Sequence, residues 1–302
     1  MTSAGRRAAA NRARQAQAER ARIAQQRRVR TRFALGGVLT VAAVLVAMMI
    51  VRVALPSGPA GPVSSAQPAD VVAVRALTIQ AALLDQVGRG TAETTPTRIE
   101  SATPLTRDGK PLVFYLGAEY CPFCAAQRWA LVIALNRFGS FTNLNPARSA
   151  VDDVYPDTAT VTFHGATYRS DYLAFEAVEL ATSERVGNRY RPLESMTPAQ
   201  EQLVKTFNAP PYVPAGSAGA VPFVDFGNRF VMTGSIFSPG VLEGMSQEQI
   251  VAALADPNHE VSQAVLGAAN ALTATLCELT QGQPAPVCTS PAVAPFVEDA
   301  RG

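Results

Sequence analysis

The feature that most constrains this chain is a pair of cysteines, Cys121 and Cys124, that stands between a short apolar run and a helical pattern. Residues 112–116 are almost entirely apolar, which is typical of a strand buried on both faces of a sheet. Residues 122–138 then keep the apolar spacing of a helix. The pattern predicts a buried strand, a turn that carries the cysteines, and a helix that begins at them.

This placement favours redox chemistry at the two cysteines. The first turn of a helix has unpaired backbone N–H groups and the positive end of the helix dipole, and both stabilise a thiolate over a thiol. The thiolate is the species that attacks a disulfide. Cys121 and Cys124 are therefore candidates for a thiol–disulfide exchange centre.

The first 69 residues predict a basic tail, a membrane helix and a linker. Residues 1–32 contain ten arginines and one acidic residue, although the whole chain carries 26 basic and 24 acidic residues. Residues 33–51 are uncharged and, as a helix, would span about 28 Å, close to the hydrocarbon thickness of a bilayer. We therefore predict a single transmembrane helix over residues 33–55, followed by a Pro, Gly and Ser linker over residues 56–69.

The arginines of the tail set the predicted orientation in the cell membrane. By the positive-inside rule the N-terminus is cytoplasmic, so the chain after the membrane helix is extracytoplasmic. The alternative is a signal peptide cleaved near Ala66, although the apolar run is longer than is usual for one. A second interpretation of the tail is a helix held on anionic lipid. Nucleic-acid binding is not predicted, because no aromatic residue is interleaved with these arginines.

One folded domain is predicted over residues 70–290, followed by a tail over residues 291–302. Hydrophobic residues make up 48% of the chain, which is ample for a packed core and excludes a small scaffold that depends on disulfides. Apolar spacing, capping boxes and turn signals predict helices at 71–87, 197–207, 246–255 and 261–279, a strand at 158–163 that turns at His164 and Gly165 into 166–168, and a hairpin at 223–233. This order of strands and helices predicts an α/β fold.

The sequence of residues 113–124, Val-Phe-Tyr-Leu-Gly-Ala-Glu-Tyr-Cys-Pro-Phe-Cys, resembles the active-site strand and turn of the thioredoxin superfamily. Its Cys-Pro-aromatic-Cys form is similar to that of glutaredoxins and of the disulfide-bond-forming thioredoxin-like proteins of the bacterial cell envelope. Residues 117–129, 138–144 and 153–172 also resemble a bacterial membrane-anchored thioredoxin-like family of unknown function. This resemblance covers most of residues 100–290.

The resemblance implies a fold and a set of roles. The fold would be α/β and thioredoxin-like, with a mixed central sheet flanked by helices and an insertion at about 141–211. Cys121 would be the attacking thiol, and Cys124 would be the buried resolving thiol that releases the mixed disulfide. Val221 and Pro222 would form the cis-proline bond of the superfamily, with the backbone of Val221 binding an extended substrate peptide. An ordinary trans-proline at the start of a strand is the alternative.

Two residues depart from the pattern of the superfamily. Thioredoxins commonly carry a buried acidic residue six positions before the first cysteine, where this chain has Tyr115. Strongly oxidising relatives often place His between the cysteines, where this chain has Phe123. The sequence therefore does not define the route of the proton of the resolving thiol, and a less extreme reduction potential is expected.

The other two cysteines, Cys277 and Cys288, lie on the predicted outer side of the membrane, where an oxidising environment permits disulfides. Cys277 falls in the last turn of the predicted final helix, and a segment rich in Gly and Pro reverses the chain before Cys288. We predict a structural disulfide between them. The alternatives are a relay pair that exchanges electrons with the first cysteine pair, and a zinc site made of all four cysteines. The leading prediction includes no metal and no cofactor.

The predicted function is that of a membrane-anchored extracytoplasmic thiol–disulfide oxidoreductase. Its partners would be envelope proteins that carry thiols or disulfides, together with a redox partner in the membrane. The alternative is a non-catalytic thioredoxin-like binding or assembly module of the cell envelope, in which Cys121 and Cys124 form a structural disulfide. A metal-binding module is the third class considered.

Overall fold

The computed structural model describes residues 79–92 and 94–299, with the backbone alone at residues 297–299. The chain divides into two units, 1–65 and 66–302, and every described residue lies in the second. The predicted basic tail, membrane helix and linker therefore lie outside the described residues. None of the helices within the described ranges is both long and apolar enough to span a bilayer.

The described chain alternates strands and helices. The helices are α1 (Ala81–Val87), α2 (Pro122–Asn136), α3 (Pro198–Phe207), α4 (Gln247–Ala253), α5 (Glu260–Leu279), α6 (Ala285–Cys288) and α7 (Ala294–Asp299), with 3₁₀ turns at Ala215–Ser217 and Pro239–Leu242. The strands are β1 (Thr97–Arg98), β2 (Thr106–Arg107), β3 (Lys110–Gly117), β4 (Gly139–Thr142), β5 (Asn145–Arg148), β6 (Ala159–Thr162), β7 (Thr167–Ser170), β8 (Ala174–Glu179), β9 (Ala181–Val186), β10 (Arg189–Pro192), β11 (Phe223–Phe226) and β12 (Phe230–Thr233).

Strand β3 is the centre of a six-stranded mixed sheet. It pairs in parallel with β8, where Leu112 faces Ala174, and antiparallel with β11, where Leu116 faces Phe223. The order β1-β12-β11-β3-β2 continues the sheet in both directions, and β8 also joins β3. A central strand needs apolar residues on both faces, which is why β3 is an apolar run without alternation.

Helices cover both faces of this sheet. Val113 and Tyr115 of β3 face a core formed with α2 and α5, whereas Phe114 and Leu116 face a second core that includes Phe207 of α3. Successive strand residues point to opposite faces, so one apolar strand supplies both cores. The structure is thus a mixed α/β fold with a mixed sheet flanked by helices.

Several local signals lie where the sequence predicts them. Thr197 and Ser246 each form a complete capping box at the start of α3 and α4. The hairpin between β11 and β12 forms as predicted, with Gly227 and Asn228 left-handed at φ of +66° and +55°, but Phe226 pairs with Phe230, so the connection has three residues and not two. Helix α5 covers most of the predicted final helix and begins at His259 as its N-cap.

The predicted strand at 158–163 and its turn at His164 and Gly165 are confirmed by β6 and by the N–H of Ala166, which donates to the Phe163 carbonyl over 3.0 Å. Strand β6 pairs with β5, and β7 pairs with β4, so the two strands beside this turn do not pair with each other. The strand that joins the central sheet is β8, for which we made no prediction. Its sequence mixes Ala, Phe and Val with Glu176 and Glu179, so it lacks the uniform apolar run that marks β3 as a strand. The predicted insertion at about 141–211 therefore contains a strand of the central sheet.

Candidate active site

Cys121 and Cys124 lie at the start of α2, directly after β3. Cys121 is the N-cap of the helix and Pro122 takes the first helical position, where its missing N–H costs nothing. The backbone N–H of Cys124 donates to the Cys121 sulfur over 3.4 Å. Both are free thiols, with 7% of Cys121 exposed and Cys124 fully buried. The strand, turn and helix therefore place Cys121, which is slightly exposed, beside Cys124, which is fully enclosed.

The two thiols have opposite acidities. The pKa of Cys121 is lowered, first by its hydrogen bond with the Cys124 thiol, and also by backbone N–H groups of the helix start and by the Arg128 charge. The pKa of Cys124 is raised well above its ordinary value, chiefly by burial and then by the same thiol–thiol hydrogen bond. The thiolate consequently forms on Cys121 while the proton stays on Cys124.

Val221 and Pro222 lie beside this pair. In its thiol form, Cys121 donates to the carbonyl oxygen of Val221 over 3.7 Å. The peptide bond between Val221 and Pro222 is cis, and Pro222 is buried at the start of β11. The structure therefore brings together Cys121, Cys124 and the Val221–Pro222 segment, four residues that the resemblance placed in one site.

Cys277 and Cys288 lie apart from this group. They are bonded to each other, with their Cα atoms 5.4 Å apart, and join the end of α5 to α6. Within residues 79–92 and 94–299, no three His, Cys, Asp or Glu side chains meet as a ligand group for a metal. The described chain therefore does not assemble the four cysteines into one zinc site.

A fully buried ion pair lies behind the cysteines, and the sequence analysis missed it. Arg128 is on α2, one turn after Cys124, and Glu179 is the last residue of β8. Arg128 Nε donates to Glu179 Oε1 and Arg128 Nη2 to Glu179 Oε2, each over 2.7 Å, and neither side chain is exposed. A signal was present in the sequence, because Arg128 is the single charge in a long apolar helix and shares a face with Cys124.

Arg128 also holds the turn that precedes the cysteines. Its Nη2 donates to the Ala118 carbonyl over 2.8 Å, and the backbone N–H of Cys121 donates to that same carbonyl over 3.2 Å. The charge of Arg128 lowers the pKa of both thiols, whereas the Glu179 carboxylate raises that of Cys124. The ion pair therefore fixes the position of Cys121 and contributes to the electrostatic potential at both sulfurs.

Tyr115 completes the buried surroundings of the dithiol. Its ring centroid is 5.9 Å from Arg128 Cζ, and burial raises the pKa of its phenol well above the usual value, so the hydroxyl stays protonated. A Cβ atom on Gly117 would lie 2.2 Å from that hydroxyl, which explains the glycine two residues later. Among the described residues, neither the Tyr115 hydroxyl nor Arg128 Nη1 has a hydrogen-bond partner. Two buried donors without a partner among the described residues thus lie close to the dithiol.

Two segments between α2 and α3 surround the mouth of the site. The loop of residues 149–158 attaches through the N–H of Ala150, which donates to the Tyr120 carbonyl over 2.9 Å. The β9–β10 hairpin attaches through Tyr190, whose ring stacks on Tyr120 with centroids 4.1 Å apart. Tyr120 directly precedes Cys121, so both segments contact the residue next to the less buried of the two cysteines.

The fold and the site define a mixed α/β domain with an asymmetric dithiol at a helix N-terminus. A family model described as "Domain of unknown function (DUF929)" matches residues 98–278, more than half of the chain, and the chain belongs to this family. The matched range contains Cys121, Cys124, the buried ion pair and Pro222. No curated protein and no solved structure matches the chain.

Proposed function

We propose that this protein is a thiol–disulfide oxidoreductase of thioredoxin-like fold that acts through Cys121 and Cys124. The observation that carries the proposal is the asymmetry of the two thiols. Cys121 is the N-cap of a helix and has a lowered pKa, whereas Cys124 is fully buried and has a raised pKa. A nucleophile and a protonated resolving thiol are what stepwise disulfide exchange requires.

The exchange has two steps. The Cys121 thiolate attacks a disulfide of the substrate, so that a bond forms between Cys121 and one substrate sulfur while the other sulfur leaves as a thiolate. Cys124 then loses its proton and attacks the Cys121 sulfur, which forms the Cys121–Cys124 disulfide and releases the second substrate thiolate. The substrate gains two electrons and the dithiol loses two, while the single proton released by Cys124 is available to one of the two substrate thiolates. The reverse sequence would oxidise a substrate dithiol.

The architecture supports the thioredoxin-like assignment. The mixed sheet flanked by helices, the dithiol at the end of a central strand, and a proline segment beside the dithiol and just before β11 are all features that the resemblance implies. Arg128 and Tyr115 take the place behind the cysteines where the superfamily commonly has an acidic group. Arg128 stabilises thiolate by its charge, and Tyr115 can only donate or relay a proton while it stays neutral.

The sequence of the N-terminal segment supports a place for this activity. The uncharged run within residues 33–55 and the arginines before it favour a single-pass anchor in the cell membrane with an extracytoplasmic catalytic domain. Substrates would be envelope proteins with thiols or disulfides, and a redox partner in the membrane would regenerate the site. The basic tail would lie on anionic lipid.

The test is a trapping experiment on the detergent-solubilised full chain. In the Cys124→Ser variant the second step cannot occur, so Cys121 should accumulate mixed disulfides with substrate thiols, detected by non-reducing gel electrophoresis and mass spectrometry. Cys121→Ser is the matched control and should trap none. The proposal is wrong if no Cys121-dependent adduct forms and the parent neither reduces nor oxidises a test disulfide.

A non-catalytic binding or assembly module is the second candidate. The observation that favours it is the small exposed fraction of Cys121, 7%, which restricts access to the sulfur. In that case Cys121 and Cys124 would form a disulfide that stabilises the fold and does not turn over. The parent protein would then remain oxidised during incubation with a reduced test peptide and would form no adduct.

A further inference from the structure

Large exposed apolar side chains are concentrated near the dithiol. Of the five among the described residues, Phe123 lies within the motif, 38% exposed, and Val151 and Val154 lie in the 149–158 loop, 76% and 67% exposed. The remaining two are Tyr172 and Val186. Isolated exposed apolar residues need no explanation, but a group beside a reactive sulfur marks an interaction surface.

The 149–158 loop is anchored on both sides of Cys121. The backbone N–H of Ala150 donates to the Tyr120 carbonyl over 2.9 Å, and Tyr155 contacts the ring of Phe123 edge to face, with centroids 5.8 Å apart. Val151 and Val154 lie between these two anchor points. The loop therefore places its exposed valines next to the motif.

The loop is tied at its surface to the β9–β10 hairpin through the exposed carboxylate of Asp152. Arg185 Nε donates to Asp152 Oδ2 over 2.6 Å, and the Tyr190 hydroxyl donates to the other Asp152 oxygen over 3.2 Å. The loop also closes on itself, since the N–H of Asp157 donates to the Ala150 carbonyl over 3.0 Å. The loop is thus held by hydrogen bonds within itself and with the β9–β10 hairpin. The exposed side chains of the two valines take no part in holding it, so packing of the loop does not explain why these residues are apolar.

We propose that Phe123, Val151 and Val154 form the recognition surface for an extended polypeptide whose reactive cysteine is flanked by an apolar residue. The inference rests on the proposed function and names the substrate class of the same site. The occupant is a polypeptide because the carbonyl of Val221, which contacts the Cys121 sulfur, is a backbone hydrogen-bond acceptor at the attack position. It is extended because a sulfur that is only 7% exposed is more easily reached by a flexible segment than by a flat folded surface.

The test compares two short synthetic peptides that differ only at the residues flanking a single cysteine, which are Leu in one and Ser in the other. Each cysteine is activated as a mixed disulfide with thionitrobenzoate. Attack by Cys121 forms the Cys121–peptide disulfide and releases the coloured thiolate, so the rate is read by absorbance. The full chain carrying Cys124→Ser should react about tenfold faster with the Leu peptide, since an apolar side chain gains about that factor on burial.

Variants of the surface sharpen the test. Val151→Ser combined with Val154→Ser should reduce the preference for the Leu peptide to less than about threefold. Tyr172→Ser is the matched control, because Tyr172 is also exposed but lies away from the cysteines. Its N–H donates to the Ser170 hydroxyl, which in turn donates to the carbonyl of Phe138, just after the end of α2 opposite to the cysteines. That control should keep the preference of the parent. Thermal unfolding of each variant verifies that these exposed substitutions leave the fold intact.

The outcomes separate the inference from the proposed function. Equal rates for the two peptides, or a preference that survives the double valine substitution, would overturn the recognition surface. A self-association of the parent that the valine substitutions abolish would overturn it as well, by assigning the surface to a second copy of the chain. Reaction of Cys121 with a small aromatic disulfide should persist in all of these cases, and its absence would instead refute the exchange activity itself.

Discussion

At the scale of single residues, environment decides what each ionisable group does. Cys121 and Cys124 have the same side chain, yet the hydrogen bond with the Cys124 thiol and the N–H groups of the helix start lower the pKa of Cys121, whereas burial raises that of Cys124. Asp225 on β11 shows the same principle away from the site, because burial raises the pKa of its carboxyl to about 7. Its Oδ1 accepts the N–H of Asn228 over 2.7 Å, while its Oδ2 has no partner among the described residues.

Asp225 predicts a pH dependence of stability with a definite sign. The pKa of Asp225 is higher in the folded protein than in the unfolded chain, so ionisation of this carboxyl destabilises the fold. The free energy of unfolding therefore has its full contribution from neutral Asp225 below about pH 4 and loses it as the pH rises through about 7. Asp225→Asn keeps the acceptor for Asn228 and removes the ionisation, so it should stabilise the protein above pH 7 by at most about 4 kcal/mol. Urea unfolding at pH 4 and pH 8 measures this, and an equal effect at both values would contradict the assignment.

At the scale of elements, the structure connects α2 to β8 through the Arg128–Glu179 ion pair. The helix carries the cysteines and the strand forms the neighbour of β3, so the pair fixes the helix against the sheet at the active site. The two buried side chains neutralise each other through two parallel hydrogen bonds. If either is removed, the other remains as a buried charge without a counter-ion. The interaction therefore contributes both to stability and to the chemistry of Cys121.

Substitutions in the pair should separate these two contributions. Arg128→Leu or Glu179→Leu alone should destabilise the fold by about 3–5 kcal/mol, whereas the double substitution should cost much less because no buried charge remains. In the double variant the pKa of Cys121 should rise, since Arg128 no longer stabilises the thiolate. Urea unfolding gives the stability, and the pH profile of Cys121 alkylation gives the pKa.

An unchanged alkylation profile in the double variant would contradict the electrostatic role of Arg128. A purely structural role of the ion pair would change the free energy of unfolding and leave the midpoint of the alkylation profile unchanged. The two measurements therefore distinguish a structural role from an electrostatic one. The Cys124→Ser background keeps Cys121 as the single free thiol of the protein, since Cys277 and Cys288 are bonded to each other.

At the scale of the whole molecule, we predict separate roles for the C-terminal disulfide and for the dithiol. Cys277 and Cys288 are 11 residues apart and join α5 to α6, so their bond restricts the unfolded chain locally. Replacing both by Ser should destabilise the protein by about 2–3 kcal/mol in the chain-entropy model. The rate of Cys121 reaction with a small aromatic disulfide should not change. If this variant is fully folded but reduces or oxidises a test disulfide much more slowly than the parent, the result would favour a relay role for the Cys277–Cys288 pair.

Predictions from the sequence succeeded where a few neighbouring residues determine the structure. The buried strand β3, the helix start at Cys121, the two capping boxes and the hairpin at Gly227 each depend on contacts within about four residues or on an apolar run. The grouping of the cysteines with Val221 and Pro222 came from the resemblance to a known fold. The sequence analysis made no prediction for β8 or for the pairing of β4 with β7 and of β5 with β6, because strand pairing depends on distant partners.

What the sequence determined by itself is the motif and its local frame: two cysteines at the first turn of a helix that follows a buried strand. What only the tertiary structure decided is the environment of those cysteines. Arg128 and Glu179 are 51 residues apart, and Cys121 and Val221 are 100 apart, so no local rule relates them. Burial and charge proximity arise when distant segments pack together, and these determine which thiol holds the proton.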